Sequence, residues 1–178
     1  MIMSSEIFQI LALKAEHSLS LARGEQLFRR EDRVEWIYLL VAGAVDLVRF
    51  QRDGKETVIN RAASGTVLAE ASLYSERYHC DGVCAQDSTL YLMPKEYLKK
   101  LLREEHAIAH EWATYLAFSL HKTRHRVELL SRKTIANRLT GWLEWNGGKL
   151  PLKGQWKNLA VELDVTPEAL YREIAKRK

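Results

Sequence analysis

The sequence predicts an α+β chain in which an N-terminal β jelly roll is followed by a long helix and a C-terminal helix-turn-helix. Three observations carry that expectation. Short apolar runs separated by turn residues fill the stretch from Ser18 to Pro94, the pattern of a sandwich or jelly roll. A segment from about His106 to Leu130 then contains neither Gly nor Pro. Two further helical patterns close the chain, separated only by Asp164, Val165 and Thr166, and so tight a turn marks a helix-turn-helix. The expected divisions are residues 1–94, 95–131 and 132–178.

A short apolar segment, Ile7 to Leu13, precedes the strands. Strands are expected at Gln26 to Phe28, Trp36 to Val41, Ala44 to Phe50, Thr57 to Arg61, Cys80 to Ala85 and Thr89 to Met93, each rich in β-branched, aliphatic or aromatic residues. Asp53-Gly54, between Val48 and Val58, is the strongest hairpin signal, because a type I′ turn needs positive φ and Asp-Gly supplies it cheaply. Gly24, Gly43, Gly65 and Gly82 break the other runs at spacings of 17 to 22 residues.

Pro94 marks the change to helical periodicity, first at Glu96 to Arg103 and then along the long segment. There Ala109, Ala113, Leu116, Leu120, Thr123, Val127 and Leu130 alternate steps of four and three over three heptads, the seam of a coiled coil. The seam is narrow and its flanks carry Lys122, Arg124, Arg126 and Glu128. It suits a parallel homodimer, the alternative being that it packs on the chain's own sheet. Thr134 to Trp145 is the next helix, ended by Asn146-Gly147-Gly148, and Leu150-Pro151-Leu152 is a brief extended link. The closing helices are expected at about Gln155 to Leu163 and Pro167 to Arg177. Thr166 is a good N-cap, Pro167 suits the first helical position and Glu168 favours the helix dipole, so the last helix starts sharply.

Charge separates along the 178 residues. Lys and Arg number 27 against 23 Asp and Glu, a net of +4. From Met1 to Pro94 there are 10 basic and 13 acidic residues; from Lys95 to Lys178 there are 17 and 10. An acidic front and a basic back point to two tasks. No apolar run approaches the roughly 20 residues that span a bilayer, and Met1 to Gln9 lacks the order of a signal peptide, so a cytoplasmic protein with no membrane partner is expected. Cys80 and Cys84 cannot form a disulfide framework. On one strand they would stand about 13 Å apart, beyond disulfide reach. The common nucleotide-enzyme, hydrolase and zinc-protease motifs are absent from the sequence.

The residues resemble one family over nearly the whole chain, the transcription regulators of the cyclic-AMP receptor protein/FNR superfamily. Gly24-Glu25-Gln26-Leu27-Phe28, Glu31-Asp32 and Trp36 through Gly43-Ala44-Val45 are similar to its opening strands. Gly65 through Ala69-Glu70-Ala71-Ser72-Leu73 resembles its phosphate-binding cassette, and Leu159 through Arg172 resembles its DNA-reading motif. The resemblance implies a cyclic-nucleotide-binding-like sensory jelly roll, a dimerisation helix and a helix-turn-helix. It also implies double-stranded DNA, a second copy of the chain and RNA polymerase as partners, and no enzymatic activity.

The departures bear on the effector. Members that bind cyclic nucleotide carry Gly-Glu and, ten residues after the Glu, an Arg and a small hydroxyl residue; the Glu takes the ribose hydroxyl and the Arg the phosphate. Here Ala69 stands for the Gly, Glu70 is kept, and Cys80 and Asp81 replace the Arg and the hydroxyl residue. The phosphate would lose a charge-assisted pair and meet a carboxylate. Arg77, near in sequence, could substitute from the loop. Ser119 and Leu120 occupy the long-helix positions where the family contacts the base, so at most one hydroxyl contact survives. Cyclic nucleotide is therefore disfavoured by Cys80 and Asp81, and the effector is another ligand or none. Haem could use His79 or Cys80, but adjacent strand residues face opposite ways. His106 with His110 and His121 with His125 are spaced for metal pairs but lack further ligands nearby, and they read as solvated flanking residues.

For DNA, Glu168 and Arg172 share a face at i, i+4. The resemblance implies that the Arg donates to guanine and the Glu accepts from cytosine, with Pro167 and Tyr171 as the other base contacts. Asp164 replaces the usual Gly of the turn. Phosphates fall to Lys153, Lys157, Thr166, Lys176, Arg177 and Lys178, with Arg132, Lys133 and Arg138 as weaker candidates. Residues 131 to 178 hold 10 basic and 5 acidic side chains, an excess that supplies salt-dependent affinity. Members of the family continue into a β-hairpin wing, whereas this chain ends at Lys178, which leads us to expect weak DNA binding by it. Two rivals stay open. One is an effector-binding or protein-interaction module with a vestigial helix-turn-helix. The other is a metal enzyme of the cupin type, for which His79 and Glu70 are too few ligands.

Overall fold

The computed structural model describes residues 6–50 and 56–177. The Asp53-Gly54 turn and Lys178 lie outside the described residues. The N-terminal apolar segment forms α1 (Glu6–Lys14), which buries Ile7, Phe8 and Leu11. These positions fall on one helical face.

Among the described residues eight strands follow: β1 (His17–Leu21), β2 (Gln26–Phe28), β3 (Trp36–Ala42), β4 (Ala44–Phe50), β5 (Glu56–Ala63), β6 (Thr66–Leu68), β7 (Asp81–Cys84) and β8 (Ser88–Pro94). They make two four-stranded antiparallel sheets, ordered β1-β8-β3-β6 and β2-β7-β4-β5. This is the expected jelly roll, with two strands more than the sequence runs suggest. The register of β1 pairs Leu19 with Leu90, yet His17-Ser18-Leu19-Ser20-Leu21 is largely exposed at a sheet edge, so it carries little apolar signal. Strand β6 has only three residues.

Helix α1 packs against β3 and β8, and α2 (Lys95–Glu104) packs against β8. That outer cover explains why Ile37, Tyr38, Leu39 and Leu40 are all buried, where a strand with one wet face would alternate. Each fully buried Leu or Ile contributes about 1.5–3 kcal/mol. Between the sheets Phe28 stacks on Tyr38 and Tyr78, with ring centroids at 5.6 and 4.5 Å. Gly82 makes room for this stack, because a Cβ there would stand 2.7 Å from the Phe28 ring. Gly43 turns β3 into β4 at φ +92°, and a Cβ would collide with Asp87 O and Ser88.

The chain divides into two compact units, Met1–Leu116 and Ala117–Lys178, with the division inside α3 (His106–Ser131). The second unit contains the end of α3, α4 (Ile135–Trp145), a 3-10 turn at Lys153–Gln155, α5 (Trp156–Glu162) and α6 (Pro167–Ala175). Its core is Leu129, Leu139, Leu159, Ala160, Leu163, Leu170 and Ile174. Thr134 caps α4 by accepting from Asn137 N at 3.1 Å, and Thr166 caps α6 by accepting from Ala169 N at 3.2 Å.

Candidate functional site

In the second unit, α5 ends in a left-handed turn that aims α6. Asp164 N donates to Val161 O at 3.2 Å and Val165 N to Ala160 O at 3.0 Å, the paired bonds of a Schellman cap. Asp164 holds the left-handed position at φ +52°. Two arginines donate to carbonyls at this helix end. Arg126 reaches Val161 O and Glu162 O, both at 3.4 Å. Arg138 donates to Leu163 O at 2.9, Arg132 O at 2.9, Leu130 O at 3.2 and Asp164 O at 3.3 Å. Neither role is read from the sequence. The available signal was an Arg at 138 beside the apolar positions Ile135, Leu139 and Trp142, where a charge needs partners.

Leu170 and Ile174 anchor α6 inward at i, i+4. Glu168, Tyr171 and Arg172 consequently face outward and are exposed. Neither Glu168 nor Arg172 makes an ion pair or side-chain hydrogen bond among the described residues, and the same holds for Lys153, Lys157 and Lys176. Pro167 is half-buried at the first helical position. Thr166 spends a lone pair on its cap. Arg177 is occupied: Nε pairs with Glu173 at 3.2 Å, and Nη2 donates to Ala136 O at 2.6 Å and Thr140 Oγ1 at 3.1 Å. Arg132 likewise binds Glu128 and Asn137 O.

In the first unit, the cassette residues surround a cavity of about 40 Å³ bordered by Phe28, Leu47, Glu70, His79 and Cys80. Glu70–Ser72 form a 3-10 turn entered through Ala69 at φ +64°, a left-handed position that Gly would occupy without strain. Burial holds the Glu70 carboxyl above the usual carboxylate range, against the opposing pull of the Glu70 and Ala71 N–H groups. Ser72 is buried, with Oγ 3.0 Å from His79 Nδ1. Burial, then the charge of Arg49, pushes the His79 imidazole below its ordinary value. Burial, with Asp81 and Glu70 adding, pushes the Cys80 thiol up to about 11.

Cys80 and His79 both precede β7, so strand alternation does not separate them and both border the cavity. Asp81 is buried, with Oδ1 accepting from Gln26 Nε2 at 3.0 Å and Arg30 N at 3.2 Å. Arg77 donates to Glu31 O at 2.6 Å. Arg49 reaches the cassette, its Nε donating to His79 O at 3.2 Å. Ser119 lies in the second unit, where its carbonyl accepts from Thr123 Oγ1.

Along α3, Ala109 and Leu116 are half-buried and Ala113 is exposed; in the second unit Leu120, Thr123 and Val127 are exposed. His106 and His110 are exposed as expected. His125 is not: it stacks on Trp145 at 4.0 Å, and His121 meets the same indole edge-on at 4.8 Å. Trp145 thus uses the i, i+4 spacing that resembled a metal pair. Among the described residues no group of three or more His, Cys, Asp or Glu could hold a metal ion. No helix among them is long and apolar enough to cross a membrane.

Comparison with known proteins supplies the remaining findings. Residues 18–105 match the family described as the cyclic nucleotide-binding domain. The global nitrogen regulator of Synechococcus elongatus is 29% identical over 125 residues, 68% of this chain and 56% of that protein. The cyclic AMP receptor protein of Thermus thermophilus is 28% identical over 118 residues, 66% of this chain and 55% of that protein. This chain therefore matches about half the length of these relatives. The solved structure of FixK2 from Bradyrhizobium japonicum superposes with a TM-score of 0.71 at 20% identity, over 90% of this chain and 83% of that one, a likeness of fold.

Proposed function

We propose that this member of the cyclic-AMP receptor protein/FNR superfamily is a homodimeric, sequence-specific DNA-binding transcription regulator whose effector is not a standard cyclic nucleotide, or which has none. The observation that carries the reading is the outer face of α6, where Glu168 and Arg172 stand exposed and, among the described residues, without side-chain partners behind a capped helix start. A carboxylate and a guanidinium one turn apart suit a cytosine amino group and a guanine edge. Lys153, Lys157 and Lys176, equally unpaired among the described residues, are suited to phosphates.

Exposed Leu120 and Val127 on the seam support self-association. The resemblance adds RNA polymerase as a partner. For the effector, a cavity of about 40 Å³ is far below the roughly 300–1,000 Å³ of ligand pockets, and Cys80 borders it where the family's phosphate-binding Arg would stand. Mobility shifts with duplex DNA over a series of salt concentrations test the reading. Binding that weakens linearly on a log–log plot is expected; absence of binding, or binding indifferent to salt, overturns it.

A further inference from the structure

Tyr171 differs from its neighbours on α6 in having a wall. Its ring centroid lies 5.6 Å from that of Trp156, the first residue of α5, with the planes inclined at 54°, a spacing at which aromatic pairs attract. The indole is itself fixed, since Nε1 donates to Pro151 O at 3.0 Å and the ring packs against the core of the unit. Trp156 therefore draws the phenol from the outer face of α6 toward the start of α5. The residue keeps 36% exposure, and its hydroxyl takes no hydrogen bond among the described residues. Lys153 and Lys157, at the same end of α5, are exposed and, among the described residues, unpaired as well.

In a helix-turn-helix the first helix crosses the DNA backbone while the second enters the groove. A phenol leaning on the start of the first helix faces the backbone rather than the base edges, and its O–H is a donor for a phosphate oxygen. We infer that Tyr171 is a phosphate contact and that Trp156 is the positioning residue that holds it there, leaving Glu168 and Arg172 to read bases. The inference rests on the DNA-reading function proposed above, and it moves Tyr171 out of the base-reading set that the sequence suggests.

The experiment selects duplexes from a random-sequence pool with the full chain. Wild type, Tyr171→Phe, Trp156→Phe and the double variant are then titrated against a selected and an unselected duplex, with thermal denaturation of each protein in parallel. Tyr171→Phe is expected to weaken both duplexes equally, by about three- to tenfold, the worth of one net hydrogen bond, with base preferences and melting unchanged. Trp156→Phe is expected to weaken binding in the wild type and to add little once the hydroxyl is gone. Duplexes carrying a single methylphosphonate, which removes one phosphate charge, should include one position that costs wild type affinity and costs Tyr171→Phe none. Altered preference at one base pair in Tyr171→Phe, unchanged affinity, or full additivity of the two substitutions overturns the inference. A wild type that binds no duplex refutes the DNA-reading function itself, an outcome distinct from these.

Discussion

Ser72 Oγ stands 3.0 Å from His79 Nδ1 across the cassette. The bond ties the Glu70–Ser72 turn to the segment leading into β7 and borders a cavity of about 40 Å³, room for a few waters at most. Cyclic AMP is therefore expected to leave the melting temperature unchanged. At a concentration equal to the dissociation constant a ligand stabilises by about 0.4 kcal/mol, so a millimolar titration with no shift places binding above that range. A shift that saturates at micromolar nucleotide would show the cavity opening for it.

Glu70 gives a pH signature. Its folded-state carboxyl is held above the ordinary value chiefly by burial, so its neutral form favours the fold. That contribution is full below the unfolded value of about 4.3 and is lost as pH rises through the folded value. Glu70→Gln carries no such loss. Its stability relative to wild type, measured by urea denaturation, should rise from pH 4 toward neutrality and then level. A difference that stays flat, or falls with pH, would contradict the burial of this carboxyl.

Arg138 binds four carbonyls, two in the turn between α5 and α6 (Leu163, Asp164) and two at the end of α3 (Leu130, Arg132). Arg138→Ala should destabilise the chain by about 2–3 kcal/mol, the range for hydrogen bonds to a charged group with acceptors left behind. Arg138→Lys should recover less than half, since an ammonium cannot span the fork. Denaturant titration measures both. Loss below about 0.5 kcal/mol for Ala would mean that water replaces the clamp.

Asp164 occupies the left-handed position of the same turn at φ +52°. Asp164→Gly should stabilise by about 0.5–1 kcal/mol, because relief of the left-handed strain exceeds the added chain entropy. Asp164→Val should cost more than 1 kcal/mol. Thermal melts that rank Val at or above Gly would exclude the left-handed geometry.

The parts of the fold legible in the sequence are those with local causes. Thr166-Pro167-Glu168 announces a helix start through capping, ring geometry and dipole, and α6 begins there. Glu168 and Arg172 share a face because i, i+4 is a property of the helix alone. What stayed hidden depends on chain segments meeting. The exposed edge strand β1 and the three-residue β6 carry too little apolar signal to stand out. Nothing local to Arg138 announces the carbonyls of Leu163 and Asp164 that it meets, nor does Arg177 announce Ala136 and Thr140. His125 looks solvated until Trp145 stacks on it. Alternation would part His79 from Cys80, but the strand begins one residue later.

On the proposed function, α6 reads base sequence through Glu168 and Arg172. The most direct measurement is the sequence preference of wild type and Arg172→Ala in the same random-duplex selection, with affinities taken for the enriched sequence and its single-base variants. Wild type should enrich a defined sequence, and Arg172→Ala should lose about 1–3 kcal/mol of discrimination at one base pair while the other positions hold. An Arg172→Ala chain that enriches the same sequence with undiminished discrimination would contradict the claim.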